Sequence, residues 1–310
     1  MSLAPAPGPG TPARSAALHP RAFFTLLLLA CVFGANHVAA RVAFNHGVDV
    51  ATAVAVRSLG TAFVVALIVR WFGLRLSLDA RQWRVLMLIG ALLTGQSLSL
   101  YSAVARLPVA LALLAFNTFP LWIALWSRLF YRQRPTRAVL IAMPVILLGL
   151  SLALDVVGAA SGLGAAKHWS AIGAGVGFAV AAAALFGLAM VITQHEVAAV
   201  DGRLRTTITM GFVGLVALLA TQLQGGVHWP NAAAGWWGLL LLTVFYGTGF
   251  TVMFTLLPKL GVAGNSPILN VEPVAALLMA WALLGQTIAP VQVAGSLLVV
   301  GAVMMLGLRR

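Results

Sequence analysis

"RLPVALALLAFNTFP" (residues 106–120) and "KLGVAGNSPILNVEP" (residues 259–273) are two versions of one segment, 153 residues apart. At that offset Arg106-Leu107 meets Lys259-Leu260, Val109-Ala110 meets Val262-Ala263, Asn117 meets Asn270 and Pro120 meets Pro273. The same offset lays Phe33-Gly34 on Phe186-Gly187 and Gln133 on Gln286. Matches among Ala, Leu and Val arise cheaply. A shared Asn-x-x-Pro inside an apolar run does not. One ungapped offset joining the start, middle and end of each half reads as an internal duplication.

The solvent follows from composition. The chain has 310 residues, 61% hydrophobic and 8% charged, where a soluble domain carries roughly 25% charged residues. Too few charges are present to cover a soluble surface. Apolar runs of about 20 residues, the length that crosses about 30 Å of hydrocarbon, fall near 22–45, 50–72, 82–104, 108–130, 136–156, 170–194, 206–223, 235–257, 262–285 and 289–308. The expected fold is therefore all-α and integral to the membrane, with ten transmembrane helices. Residues 22–156 and 170–308 hold five each, joined by a Gly/Ala-rich periplasmic linker at 157–169. An odd number of spans per half forces the halves into opposite orientations, giving two inverted five-helix repeats.

The net charge of +13 does not point to nucleic acid, because the basic residues sit in short loops. Arg14, Arg21, Arg70, Arg75, Arg81, Arg84, Arg128, Arg132, Arg134, Arg137, Arg203, Arg205, Lys259, Arg309 and Arg310 fall on one side. Only Arg41, Arg106 and Lys167 fall on the other, and Arg57 lies within the second span. This bias places both termini in the cytoplasm. Residues 1–21, rich in Pro, Ala and Gly, read as a disordered cytoplasmic tail. With the apolar run that follows they also resemble a signal peptide. The Phe33-Gly34 match favours keeping the first span, since it is the partner of the sixth. Cys31 is the single cysteine, so no disulfide forms within the chain.

Three stretches resemble the EamA family of the drug/metabolite transporter superfamily. "YSAVARLPVALALLAFNTFPLWIAL" (101–125) is similar to its third-to-fourth span region and "LPKLGVAGNSPILNVEPVAALLMAWALLGQTI" (257–288) to its ninth span. "FGANHVAARVA" (33–43) is similar to the start of its first span. Phe33 stands where the family often has Trp, and Gln286 where Leu-Gly-Glu is common. The resemblance implies a ten-helix, multi-pass transporter in a bacterial inner (plasma) membrane, often an exporter of amino acids or other small metabolites. Its partners would be a small-molecule substrate and membrane lipid, without a cofactor.

Intramembrane ionisable residues are functional candidates by default. Glu272 lies about ten residues into its span, or roughly 15 Å at about 1.5 Å per residue. It reads either as a proton site or binder of a substrate ammonium group, or as a protonated carboxyl bracing the kink beside it. Arg57 either pairs with Glu272, attracts a substrate carboxylate through its planar fork, or snorkels to the outer surface. His37 is a further proton-site candidate, and Arg41 reads as snorkelling. Asn36, Gln96, Ser97, Tyr101, Asn117, Trp122, Tyr246 and Asn270 are candidate cavity-lining residues. Thr94, Ser97 and Tyr101 share one helix face, which either lines a path or glues two helices. Asn117 and Asn270 read as paired locks or substrate contacts. Trp122, Trp126, Tyr246 and Trp281 are candidates for an aromatic cage. Pro120, Pro267 and Pro273 remove backbone donors and are expected to kink their helices. The Gly173/Gly177 and Gly211/Gly214 spacings suggest close helix packing. No metal-spaced cluster, phosphate loop or nucleophile elbow is present, so an enzyme is not expected. The competing readings are an uncoupled facilitator or channel and a membrane enzyme acting on lipid.

Overall fold

A computed structural model of the chain describes residues 20–74, 77–134, 137–155, 165–255, 271–286 and 289–308. Among these the secondary structure is helical, without strands. The helices are α1 (Pro20–Asn45), α2 (Val50–Trp71), α3 (Ala80–Arg106), α4 (Val109–Phe116), α5 (Phe119–Tyr131) and α6 (Arg137–Ala153) in the first half. The second half holds α7 (Ala165–Glu196), α8 (Gly202–Leu223), α9 (Ala233–Thr255), α10 (Glu272–Leu284) and α11 (Pro290–Leu308). Polar residues outside the apolar runs define the starts. Asp49 caps α2 by accepting from the Thr52 N–H at 2.5 Å, and Asp79 and Gln82 form a reciprocal capping box on α3. Each satisfies amides that a helix start leaves without partners.

Seven segments are long and apolar enough to cross a bilayer: α1, α2, α3, α4 with α5, α7, α8 and α9. α6, α10 and α11 contribute the shorter apolar stretches Leu140–Ala153, Glu272–Leu284 and Pro290–Met305. Ten full-length spans were expected. α7 starts at Ala165, so the end of the expected 157–169 linker is already helix.

The prolines act differently from expectation. Pro120 does not kink a continuous helix. It stands in the first turn of α5, after a break at Asn117-Thr118, and Pro273 stands likewise in the first turn of α10. A first-turn residue needs no N–H donor, and the fixed φ of proline suits that position. Pro267, Asn270 and Lys259 lie outside the described residues. Helices α5 and α10 are near copies in geometry, each of 13 residues and each ending on a left-handed residue, Arg132 (φ 54°) and Gly285 (φ 63°). The cap amides return to equivalent carbonyls, Ser127 and Ala280.

Helix packing repeats the duplication. α2 packs on α8 and α6 on α11, each joining a helix to its own counterpart. α1 packs on α9 as α3 does on α7, and α1 packs on α10 as α5 does on α7. Exchanging the halves therefore reproduces the contacts. Glycines permit the tightest approaches. A Cβ at Gly34 would lie 3.0 Å from the Ala276 N of α10, and one at Gly187 would lie 3.1 Å from the Ile123 N of α5. These two contacts are related by the same 153-residue offset. The expected Gly173/Gly177 and Gly211/Gly214 packing holds only at Gly214, which presses on Leu59; Gly177 and Gly211 face open space.

One core joins the halves through Ala39, Val54, Tyr101, Val213 and Leu242. The outer faces carry bare apolar side chains such as Leu28, Phe63, Leu148 and Leu219, which only lipid can cover at this density. Trp71, Trp229, Trp236 and Trp237 are exposed near helix ends, where aromatic rings suit the membrane interface.

Candidate functional site

Five helices drawn from both halves bring polar side chains together inside the bundle. α1 supplies Asn36 and His37, α2 Arg57, α3 Gln96, Ser97 and Tyr101, α9 Tyr246, and α10 Glu272. Asn36, His37, Arg57, Ser97 and Tyr101 are all buried. Such a group is costly in hydrocarbon unless its members satisfy one another, and most do.

Tyr101 is the hub. Its hydroxyl accepts from Asn36 Nδ2 at 3.0 Å and from Arg57 at 3.2 Å. Arg57 also donates to Ser97 Oγ at 3.0 Å, and the Ser97 hydroxyl donates to Gln96 Oε1 at 3.3 Å. The guanidinium lies over the Tyr246 ring, 3.8 Å from its centroid, and 4.8 Å from that of Tyr101. Such faces attract a cation. His37 is 5.6 Å from Tyr101, ring to ring, and its Nε2 is 3.2 Å from Glu272 Oε1. This last contact joins the two halves through α1 and α10. His37 Nδ1 and Arg57 Nε are buried without a hydrogen-bond partner.

Glu272 and Arg57, the two deep charges, do not pair. Glu272 faces His37, and among the described residues the groups in direct contact with Arg57 are neutral. Nor does Arg57 snorkel, being 3% exposed. The α3 polar face splits by role: Ser97 and Tyr101 enter the cluster, whereas Thr94 bonds to the Gly90 carbonyl of its own helix. Arg41 does not snorkel outward either. It donates to the carbonyls of Val104 at 2.5 Å and Leu107 at 3.3 Å. These carbonyls lie at the end of α3, where a helix lacks internal donors and favours a cation.

The expected aromatic cage is not assembled. Trp122 stacks on Trp126, with centroids 6.0 Å apart, and Trp126 Nε1 donates to the Ala184 carbonyl. Trp281 is 63% exposed. Of the four, Tyr246 alone faces a cation, and that cation belongs to the protein. Asn117 ends α4 in the break, its amide donating to the Leu113 carbonyl at 2.9 Å.

The sequence reading missed two contacts that fasten the halves at opposite ends. At one end His228 Nδ1 lies 2.6 Å from Asp49 Oδ2, and the His228 amide donates to Thr52 Oγ1 at 3.1 Å. At the other end Glu196 pairs with Arg81 and accepts from the Tyr131 hydroxyl at 2.9 Å. Tyr131 also stacks on His195 at 3.8 Å. No local signal marks these pairs, since Asp49 reads as a helix cap and the rest as loop polarity. Beyond this end Asp201 caps α8, and the Arg203 side chain bonded to it holds its carboxyl below the usual carboxylate range. Among the described residues no group of His, Cys, Asp or Glu has the arrangement of a metal site.

Comparison with known proteins agrees with this architecture. One solved structure, described only as "Crystal structure of protein", superposes with a TM-score of 0.62 at 19% identity, covering 93% of this chain and 96% of that one. At that identity the likeness concerns the fold. Comparison with curated proteins gives no match. The model of a family described as "EamA-like transporter family" matches twice, over residues 20–154 and 173–308. With two repeats matched across most of its length, this multi-pass membrane protein belongs to the EamA-like transporter family.

Proposed function

We propose that the protein is a secondary transporter that moves a small metabolite, an amino acid or related compound, outward across a bacterial inner membrane. It works by alternating access between two inverted five-helix repeats, with ten crossings and both termini in the cytoplasm. Coupling to protons occurs at Glu272. The family supports transport of small molecules. The observation that carries the finer reading is the 3.2 Å contact between His37 and Glu272, an ionisable pair spanning the halves within a buried polar cluster.

The chemistry follows from that pair. A proton on the Glu272 carboxyl removes its negative charge and weakens its hold on His37. The α1–α10 contact is then free to rearrange, and loss of the proton restores it. Asn36, Gln96, Ser97 and Tyr101 offer hydrogen bonds to a substrate between the repeats. The Asp49–His228 and Arg81–Glu196 contacts are both formed here, and one of them must open for the site to face either side.

Uptake into proteoliposomes tests this, with and without an imposed pH gradient, using labelled amino acids and small amines on wild type and Glu272→Gln. The expected result is gradient-driven accumulation that the variant loses while keeping counterflow exchange. Full accumulation by a monodisperse Glu272→Gln protein would overturn the assignment of Glu272. Saturable flux that ignores the gradient in wild type would make the protein a facilitator.

A further inference from the structure

Arg57 is the one deep charge whose chemistry the proton reading leaves unused. A guanidinium does not deprotonate in proteins, so its charge must be met where it lies. It is 3% exposed. Its partners are the hydroxyls of Ser97 and Tyr101 and the rings of Tyr246 and Tyr101, all neutral. The chain has six carboxylates, and none of them forms an ion pair with it. Glu272 faces His37, Asp49 faces His228, Glu196 pairs with Arg81 and Asp201 with Arg203. Asp79 caps α3, and Asp155 lies just beyond α6. Two of the five guanidinium N–H groups reach the hydroxyls, and Nε–H has no partner.

Packing does not call for a cation here. The residue 153 positions on from Arg57 is Met210. It sits on α8, which packs against α2, and the Tyr246 hydroxyl donates to its sulfur at 3.7 Å. Two equivalent positions thus meet the same tyrosine, one with a charge and one with a thioether. Arg57 is thus a buried charge, without an ion-pair partner among the described residues, at a position where the fold also takes methionine.

We infer that Arg57 is the specificity-determining residue of the transport site and binds the carboxylate of a small organic acid, with or without an amino group. The inference rests on reading the polar cluster as that site. The free Nε–H and an adjacent N–H form one edge of the planar fork and match a carboxylate with two parallel bonds. Ser97 and Tyr101 stand in for the anion in the closed state. When it enters, their hydroxyls turn and donate to it.

The test is equilibrium binding, read as the thermal-unfolding shift of purified full-length protein in detergent. It needs no gradient, so it fails or succeeds separately from the proton assignment. The probes are matched sets for small, branched and aromatic side chains: each amino acid, its amide, its decarboxylated amine and its deaminated acid. Wild type is stabilised by members bearing a carboxylate and not by amides or amines. Arg57→Met stays monodisperse and loses that response. Arg57→Lys keeps the charge without the fork and binds about 10- to 100-fold more weakly, the range expected for hydrogen bonds to a charged group. Stabilisation by amines or amides at the same concentrations would overturn the proposal, as would carboxylate binding retained in Arg57→Met. Absence of a shift with any carboxylate would also count against it. A shift produced by chloride alone and lost in Arg57→Met would make the partner an inorganic anion.

Discussion

The two halves share a scaffold and differ in chemistry at the places that matter. At the 153-residue offset Asn36, His37, Arg57, Ser97 and Tyr101 correspond to Ala189, Met190, Met210, Phe250 and Phe254, and Glu272 corresponds to Phe119. Each polar member of the cluster has an apolar counterpart. Where α1 meets α10 through His37 and Glu272, α7 meets α5 through Phe186 and Phe119, whose rings lie 5.3 Å apart at 88°. The backbone contact beneath is the same, glycine against helix, at Gly34 and Gly187. One interface is lined by apolar rings. The other carries ionisable groups. The fold therefore does not require the polar cluster, and a structural role alone does not account for it. Alternating access needs two repeats of similar shape; a single substrate site needs only one set of polar residues.

Six substitutions, taken from the largest expected effect to the smallest, test this contrast between the halves. The largest effect is expected for Phe119→Glu, which puts the Glu272 side chain at the equivalent place without a histidine to receive it. An uncompensated carboxylate at membrane depth should cost about 3 kcal/mol and lower the unfolding temperature in detergent markedly. A neutral outcome would mean that this face admits water and does not behave as the apolar counterpart of the Glu272 face. Next come Gly34→Leu and Gly187→Leu. Both put side chains into backbone about 3 Å away, and overpacking of this kind costs about 1–3 kcal/mol. Similar losses in the two variants would confirm the equivalence of the interfaces, and a benign result in one would break it.

A smaller effect, of opposite sign, separates the ends of α5 and α10. α5 closes on Arg132 and α10 on Gly285, both left-handed. A residue with a Cβ pays about 1 kcal/mol there, so Arg132→Gly should stabilise by about that amount in chemical unfolding. Gly285→Arg should destabilise by a similar amount. The smallest change is expected at Arg81→Ala. Its side chain is 77% exposed, and exposed ion pairs are worth about 0–1 kcal/mol. Stability should barely move. If Arg81–Glu196 fastens that end, thiol labelling of a cysteine introduced at the buried neighbour Val197 (Val197→Cys) should rise nevertheless in Arg81→Ala.

Much of this was legible before any coordinates. Hydropathy periods located nine of the ten expected runs to within about five residues of described helix, the ninth (262–285) meeting it only from Glu272, and one offset exposed the repeat. The residues that would form the cluster stood out because ionisable groups are scarce in apolar runs. Their partnerships did not. Arg57 was a candidate for Glu272, for a substrate or for the surface, and periodicity cannot choose among partners 40 to 200 residues apart. The four-aromatic cage failed for the same reason, since Trp122 stacks on Trp126, Trp281 is largely exposed and Tyr246 covers Arg57. The prolines misled in a subtler way. A proline within an apolar run is compatible with a kink or with a new helix start, and Pro120 starts a helix because the chain turns at Asn117-Thr118 and α4 closes there. Small-residue spacing proved weak, because Gly211 and Gly177 face open space while Gly214 lies against Leu59.

Composition and periodicity settle the solvent, most of the helices, the duplication and the short list of residues too polar for hydrocarbon. These are local or periodic properties, set by side-chain transfer energies and the span of a bilayer. Only the tertiary structure decided that Glu272 meets His37, that Arg57 is ringed by neutral partners, and that Arg41 closes the end of α3. Those outcomes depend on how five helices from two repeats approach one another. That approach is set by glycine contacts and side-chain packing across long stretches of chain, and no single segment encodes it.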